Sequence, residues 1–145
     1  MSEETMPETS LPVRHLFKIV IETDTPSLIP GAPQGDRMVV GITGGHFEGT
    51  DLSGIVMPPG GDWVTQRADG SIKLDVKMML KTNDDALIYV SYFGVGAVEE
   101  GELKVRSTPL FETGDERYAW LNNVQGVGIG GADGSNVVYD MYALL

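Results

Sequence analysis

The chain has 145 residues, with ten lysines and arginines against 21 aspartates and glutamates, a formal net charge of −11 and no cysteine. That length fits one domain with a sizeable core and no need of staples, while the missing thiols exclude disulfides, thiolate metal sites and thiol nucleophiles. The negative charge speaks against nucleic acid as a partner, no apolar run approaches the roughly 18 residues of a membrane helix, and Met1–Ser10 lacks the basic and apolar blocks of a secretory leader, so a cytoplasmic protein with no membrane partner is expected.

Residues 1–11 are polar and acidic and read as a disordered arm, leaving 12–145 as the single domain. Leu16–Glu22 alternates, with Phe17, Ile19 and Ile21 on one side of a strand. Thr23–Asp36 contains Pro26, Pro30 and Pro33, which cannot donate inside a ladder, so it reads as a long loop of the kind that often forms a lid. Arg37–Thr43 is the second strand; His46–Gly49 and Leu52–Met57 follow, and Pro58-Pro59-Gly60-Gly61 signals a reversal. Trp63–Arg67 leads into the hairpin signal Ala68-Asp69-Gly70. Ile72–Lys81 alternates most clearly: Ile72, Leu74, Val76, Met78 and Leu80 face one way. After Asn83-Asp84-Asp85 come Leu87–Phe93, Leu103–Thr108, Trp120–Ile129 and, past the turn Ala132-Asp133-Gly134-Ser135, Asn136–Leu145. No segment sustains a 3.6-residue period. About eight to ten short strands at regular spacing indicate an all-β sandwich or barrel. Closure would remove exposed edges, and glycines such as Gly41, Gly49, Gly54 and Gly94 suit the bends it demands. The expected fold is a single antiparallel β-barrel, similar to lipocalins or streptavidin, with a central cavity.

Seven segments in order carry a family resemblance: GGHFEG at Gly44–Gly49, GGDW at Gly60–Trp63, ADG at Ala68–Gly70, TNDDALIYVSYFG at Thr82–Gly94, RSTPLFETG at Arg106–Gly114, YAWLN at Tyr118–Asn122 and VVYDMY at Val137–Tyr142. From Leu11 onward the chain resembles the DUF3237 family, also called UPF0311. The resemblance implies a small all-β barrel with a central cavity, in a family whose members mostly lack an assigned activity. Fungal relatives are associated with cofactor-free ring closure on aromatic substrates, which implies a possible reaction class.

Several residue groups suit proton-transfer chemistry. His46 and Glu48 share a face of a strand and would serve as an acid–base pair, as two ligands of an incomplete metal site, or as a polar pair on the outer wall. Asp62, beside Trp63, is either a desolvated acid–base carboxyl or a turn cap. Asp69, Asp84 and Asp85 read first as turn residues. Arg106, if it faces inward as the resemblance favours, would hold a carboxylate, phenolate or enolate. Tyr89, Trp63, Trp120 and Tyr139 would shape a pocket or fill a core, with only one of Tyr89 and Tyr92 able to face the hollow; Asn122 would donate to an oxyanion. The run Gly126–Gly131 lacks the helix and acidic partner of a phosphate loop, and neither Ser53 nor Ser107 sits in a nucleophile elbow. These residues describe an enzyme that needs no cofactor and no metal. It would carry out lyase, isomerase, hydratase or cyclase chemistry on a small aromatic or unsaturated anionic metabolite, with Asp62, His46 and Glu48 as catalytic groups. The alternative is a carrier that binds a small molecule unchanged. A homodimer is also plausible on the ground that small barrels often cover apolar outer walls.

Overall fold

The computed structural model describes residues 6–145. The acidic arm expected at the N-terminus lies partly outside the described residues; Met6–Pro12 is exposed and carries no regular hydrogen bonding. Ten strands follow: β1 Val13–Thr23, β2 Ser27–Ile29, β3 Asp36–Glu48, β4 Ser53–Gln66, β5 Ile72–Thr82, β6 Leu87–Glu99, β7 Glu102–Ser107, β8 Leu110–Glu112, β9 Gly126–Asp133 and β10 Asn136–Leu144. Eight of them close a barrel in the order β1, β10, β9, β7, β6, β5, β4, β3 and back to β1, every pair antiparallel. β2 lies outside the ring against β3, and β8 continues the wall beside β6.

The period-2 pattern decides what faces inward. Leu74, Val76, Met78 and Leu80 of β5 are buried, while Lys73 just before them and Lys77 among them are exposed. The same alternation buries Phe17, Ile19 and Ile21 on β1, and Ile88, Val90 and Tyr92 on β6. Gly130 is where β9 and β10 press together: a side chain there would meet the carbonyl oxygen of Val138.

The structure differs from the sequence expectation at three elements. Pro58-Pro59-Gly60-Gly61 does not reverse the chain; β4 runs straight through it, and its pairing with β5 slips between Met57 and Gly61. The prolines interrupt the ladder because they cannot donate, and the glycines accommodate the bulge, so the strand bends and continues. Trp120–Ile129 is not one strand. Asp115 accepts the Arg117 amide at 2.9 Å and caps a 3-10 helix, Glu116–Asn123, and β9 begins only at Gly126. Tyr118 and Leu121, the buried residues of that helix, are three apart, which is the 3-10 repeat. The proline-rich stretch after β1 is not wholly loop, since it contains the short edge strand β2.

The barrel has unlike ends. At the end where β1 begins and β10 finishes, the 3-10 helix and β8 stopper the interior with Leu121 and Phe111, and Phe111 and Phe47 pack on Phe17 at 6.1 and 5.2 Å between ring centres. At the other end, β3 starts six residues before the Ile42 that pairs with Thr23, the last residue of β1. The segment Asp24–Pro26 and the turn around Gly134 rim an opening there.

Candidate active site

A cavity of about 230 Å³ opens at this unstoppered end, against the roughly 10–15 Å³ that a single water needs. Its wall is aliphatic, with Ile21, Val40, Val64, Leu74, Val76 and Val105 among its members. Thr23, Asp24, Ser135 and Asn136 sit at the rim, and three polar side chains stand farther in: Asp62, Tyr92 and Tyr139. The lining contains no lysine, arginine or histidine.

Alternation along β4 turns Asp62 inward with Val64. Register then places it: Asp62 is opposite Val76 on β5, and Val76 is opposite Tyr92 on β6, so one rung of the barrel presents both functional groups. Asp62 Oδ1 accepts the backbone N–H of Asp75 at 3.2 Å. Burial pushes the Asp62 carboxyl up from 3.8 to about 6; the Asp75 amide opposes the rise and the Asp75 charge adds to it. Tyr92 and Tyr139 meet edge to face, 5.9 Å between ring centres. Burial, first of all, holds both phenols neutral above their ordinary range, and the nearby Asp62 charge contributes. A carboxyl that titrates near neutrality beside two neutral hydroxyl donors can take up a proton, return it, and stabilise an oxyanion formed between.

Of the residues singled out from sequence, the structure brings Asp62 and Tyr139 together. The others lie elsewhere. His46 and Glu48 do share a face, but it is the outer one, because Phe47 between them fills the core. Trp63 follows Asp62 and therefore points outward. Tyr89 is also outside; Tyr92 occupies the hollow instead. The segment Leu87–Phe93 is apolar on both faces, so alternation alone could not say which tyrosine turned in. Arg106 is corrected to the outer wall: Val105 and Ser107 on either side are buried, and its guanidinium donates to Glu99 at 2.9 Å. Trp120 lies on the exposed side of the 3-10 helix. Asn122 spends its amide on Thr113, accepting from its N–H at 2.8 Å and donating to its carbonyl at 3.0 Å, which tethers the helix to the chain after β8. Among the described residues no three histidine, aspartate or glutamate side chains converge as metal ligands, and no helix is long and apolar enough to cross a membrane.

Fold and site together define a closed antiparallel barrel with a largely apolar internal cavity and a partly buried carboxyl, Asp62, turned into it. The chain belongs to the family described as "Protein of unknown function (DUF3237)", which matches residues 11–144. It is 30% identical to a UPF0311 protein of Rhodopseudomonas palustris, over 94% of this chain and 98% of that one. A crystal structure of a β-barrel-like protein from Acinetobacter baumannii superposes with a TM-score of 0.89 at 27% identity, covering 96% of this chain and 99% of that one. A segment of this chain is 35% identical to a hydroalkoxylation enzyme of Penicillium herquei, over 57% of this chain and 46% of that protein.

Proposed function

We propose that the barrel encloses the active site of an enzyme that relocates a proton within a small, electrically neutral, unsaturated or phenolic metabolite, with Asp62 as the base that becomes the acid. The observation that carries this reading is the Asp62 carboxyl, lifted to about 6 by burial in an otherwise apolar hollow. The anionic substrate expected from an inward Arg106 loses its counter-charge, because the lining offers no cation and Asp62 itself would repel a second negative group. A neutral molecule fits.

At pH 7 most of the Asp62 population is ionised, so the resting group accepts a proton. An intramolecular addition illustrates the step. The Asp62 carboxylate removes the proton of a substrate O–H while that oxygen bonds to the β-carbon of a carbonyl-conjugated double bond. The π electrons move to the carbonyl oxygen, where the Tyr92 and Tyr139 hydroxyls donate hydrogen bonds. The protonated Asp62 then returns its proton to the α-carbon. The hydroalkoxylation enzyme among the relatives is named for adding an O–H across a double bond, which supports this class of reaction. Simple isomerisation would use the same groups. In the second reading, favoured by the aliphatic wall, the barrel carries such a molecule unchanged.

The test is turnover of phenols bearing an electron-poor side-chain alkene, followed by loss of the alkene resonance at constant mass. The expected kcat/KM rises with pH through about 6, the Asp62 value, and Asp62→Asn loses roughly 10²–10⁴-fold, the usual worth of one acid–base group. Undiminished turnover in Asp62→Asn removes the base. Tight binding with the ligand recovered unaltered establishes the carrier.

A further inference from the structure

We propose that the outer wall holds a second, separate binding site, for a planar aromatic anion, in the groove between Trp63 and Phe93. The groove measures about 510 Å³ and is bordered by Arg37, Arg67 and Lys73. Alternation and register assemble it. Arg37 on β3 is opposite Thr65 on β4, and Thr65 is opposite Lys73 on β5, so the two cations flank Thr65 along one rung. Asp75 is opposite Phe93 on the next strand.

Charge singles the groove out. The chain carries ten basic side chains against 21 acidic ones, so an unpaired cation on its surface is surrounded by available partners. Arg37, Arg67 and Lys73 nevertheless form no ion pair among the described residues. Arg67 spends only its Nε, donating to Ser71 Oγ at 2.9 Å. The one carboxylate in the groove, Asp75, is neutralised by Lys77 at 3.0 Å. Arg37 and Lys73 thus converge without an ion-pair partner among the described residues, and Arg67 beside them is opposed only by the exposed charge of Asp69.

The aromatic part is equally built. Trp63 is 44% exposed and Phe93 60% exposed, on the outside of a barrel that has a full apolar core for such residues. The Trp63 indole lies across Gly61, where an added methyl would sit 3.1 Å from the ring. Lys77 Nζ stands 5.6 Å from the Trp63 ring centre, and Lys73 Nζ stands 5.6 Å from that of Phe93. Flat aromatic faces take a planar ring by stacking, and guanidinium forks take a carboxylate or phosphate in bidentate fashion. A ligand with both parts satisfies both. Asp62 and Trp63 are adjacent on β4, so one strand serves the inner site with one face and the outer site with the other.

Trp63 and Trp120 supply the only two indole N–H resonances, which makes the site observable by ¹⁵N-resolved NMR. Phenyl phosphate is titrated into the full chain, with inorganic phosphate and benzyl alcohol as the charge-only and ring-only probes. Phenyl phosphate is expected to move the Trp63 signal saturably and leave Trp120 in place, with each half-probe at least about tenfold weaker, the factor that about 1.4 kcal/mol represents. Arg37→Ala and Lys73→Ala each weaken binding by about tenfold, while Asp62→Asn leaves it unchanged. An unmoved Trp120 signal shows that the variants remain folded. The proposal is overturned by a non-saturating shift, by equal affinity for the half-probes, by indifference to both substitutions, or by dependence on Asp62. A particle of twice the monomer mass with Trp63 protected also overturns it, since the groove would then be an interface between two copies.

Discussion

Asp62 is a carboxyl held against its own charge. Its proton binds more tightly in the folded chain, at about 6, than at the ordinary value of 3.8. The folded state therefore gains from acid. The favourable contribution is complete below about pH 3.8, and it is lost as pH rises through about 6. Ionised Asp62 at neutral pH costs up to about 3 kcal/mol, at 1.36 kcal/mol per pKa unit. Asp62→Asn, the variant expected to lose turnover, is thus expected to be more stable than the parent at pH 7.5 and equal to it near pH 4. Urea midpoints at the two pH values check this, and a gap that does not change with pH refutes it. At this scale the sequence was half legible. Asp62 is legible as a candidate from its chemistry, although its corner reads equally as a turn cap, and Tyr139 reads as either a pocket or a core residue. Arg106 stands outside although the resemblance favours an inward position, because a strand arginine can take either face and only the burial of Val105 and Ser107 settles which. Alternation does not single out Tyr92, because Leu87, Tyr89 and Phe93 make the outer face as apolar as the inner one.

The strands themselves were the easiest elements to recognise, since Val, Ile and Leu at period 2 bounded by Asp-Gly and Asn-Asp turns leave few alternatives. What failed was continuity. Two prolines and two glycines resemble a turn on composition, yet the partner strands on both sides hold β4 extended and reduce the signal to a bulge. The 3-10 helix was hidden for a related reason: Tyr118, Trp120 and Leu121 also suit a strand, and the Asp115 cap decides against it. This helix stoppers the barrel with Leu121, which is fully buried. A second anchor comes from Tyr118, whose hydroxyl donates to the Asp84 carboxylate at 2.8 and 2.9 Å in the turn between β5 and β6. Leu121→Ala is expected to cost about 2–5 kcal/mol, as emptied leucine sites do. The urea midpoint should fall with little change in slope, and a loss below 1 kcal/mol, at the low end for any core truncation, would mean that the helix is not a stopper.

Closure is the property of the whole molecule. β1 pairs with β10 on one side and β3 on the other, so the ring joins the start of the described fold to its end and leaves none of its strands with a wholly unpaired edge. That outcome was legible from strand number, spacing and the glycines, whereas the division of the interior into a packed half and a hollow half depends on the helix and could not be read locally. The chain as a whole carries a net charge of −11. Mutual repulsion of that size opposes compaction, and salt relieves it as the screening length falls from about 30 Å at 0.01 M to about 8 Å at 0.15 M. The ion pairs among the described residues join surface groups, whose loss to screening is small. The melting temperature is therefore expected to rise over that range of sodium chloride. A fall, measured by circular dichroism, would show that local pairs outweigh the global field.

The stoppered floor turns the barrel into a cul-de-sac. Whatever descends past Asp24 and Ser135 to reach the two tyrosines must back out through the same doorway, so a departing molecule and an arriving one cannot pass each other. For the proposed substrate, occupancy would be strictly sequential, with the side chains around that doorway governing both admission and departure.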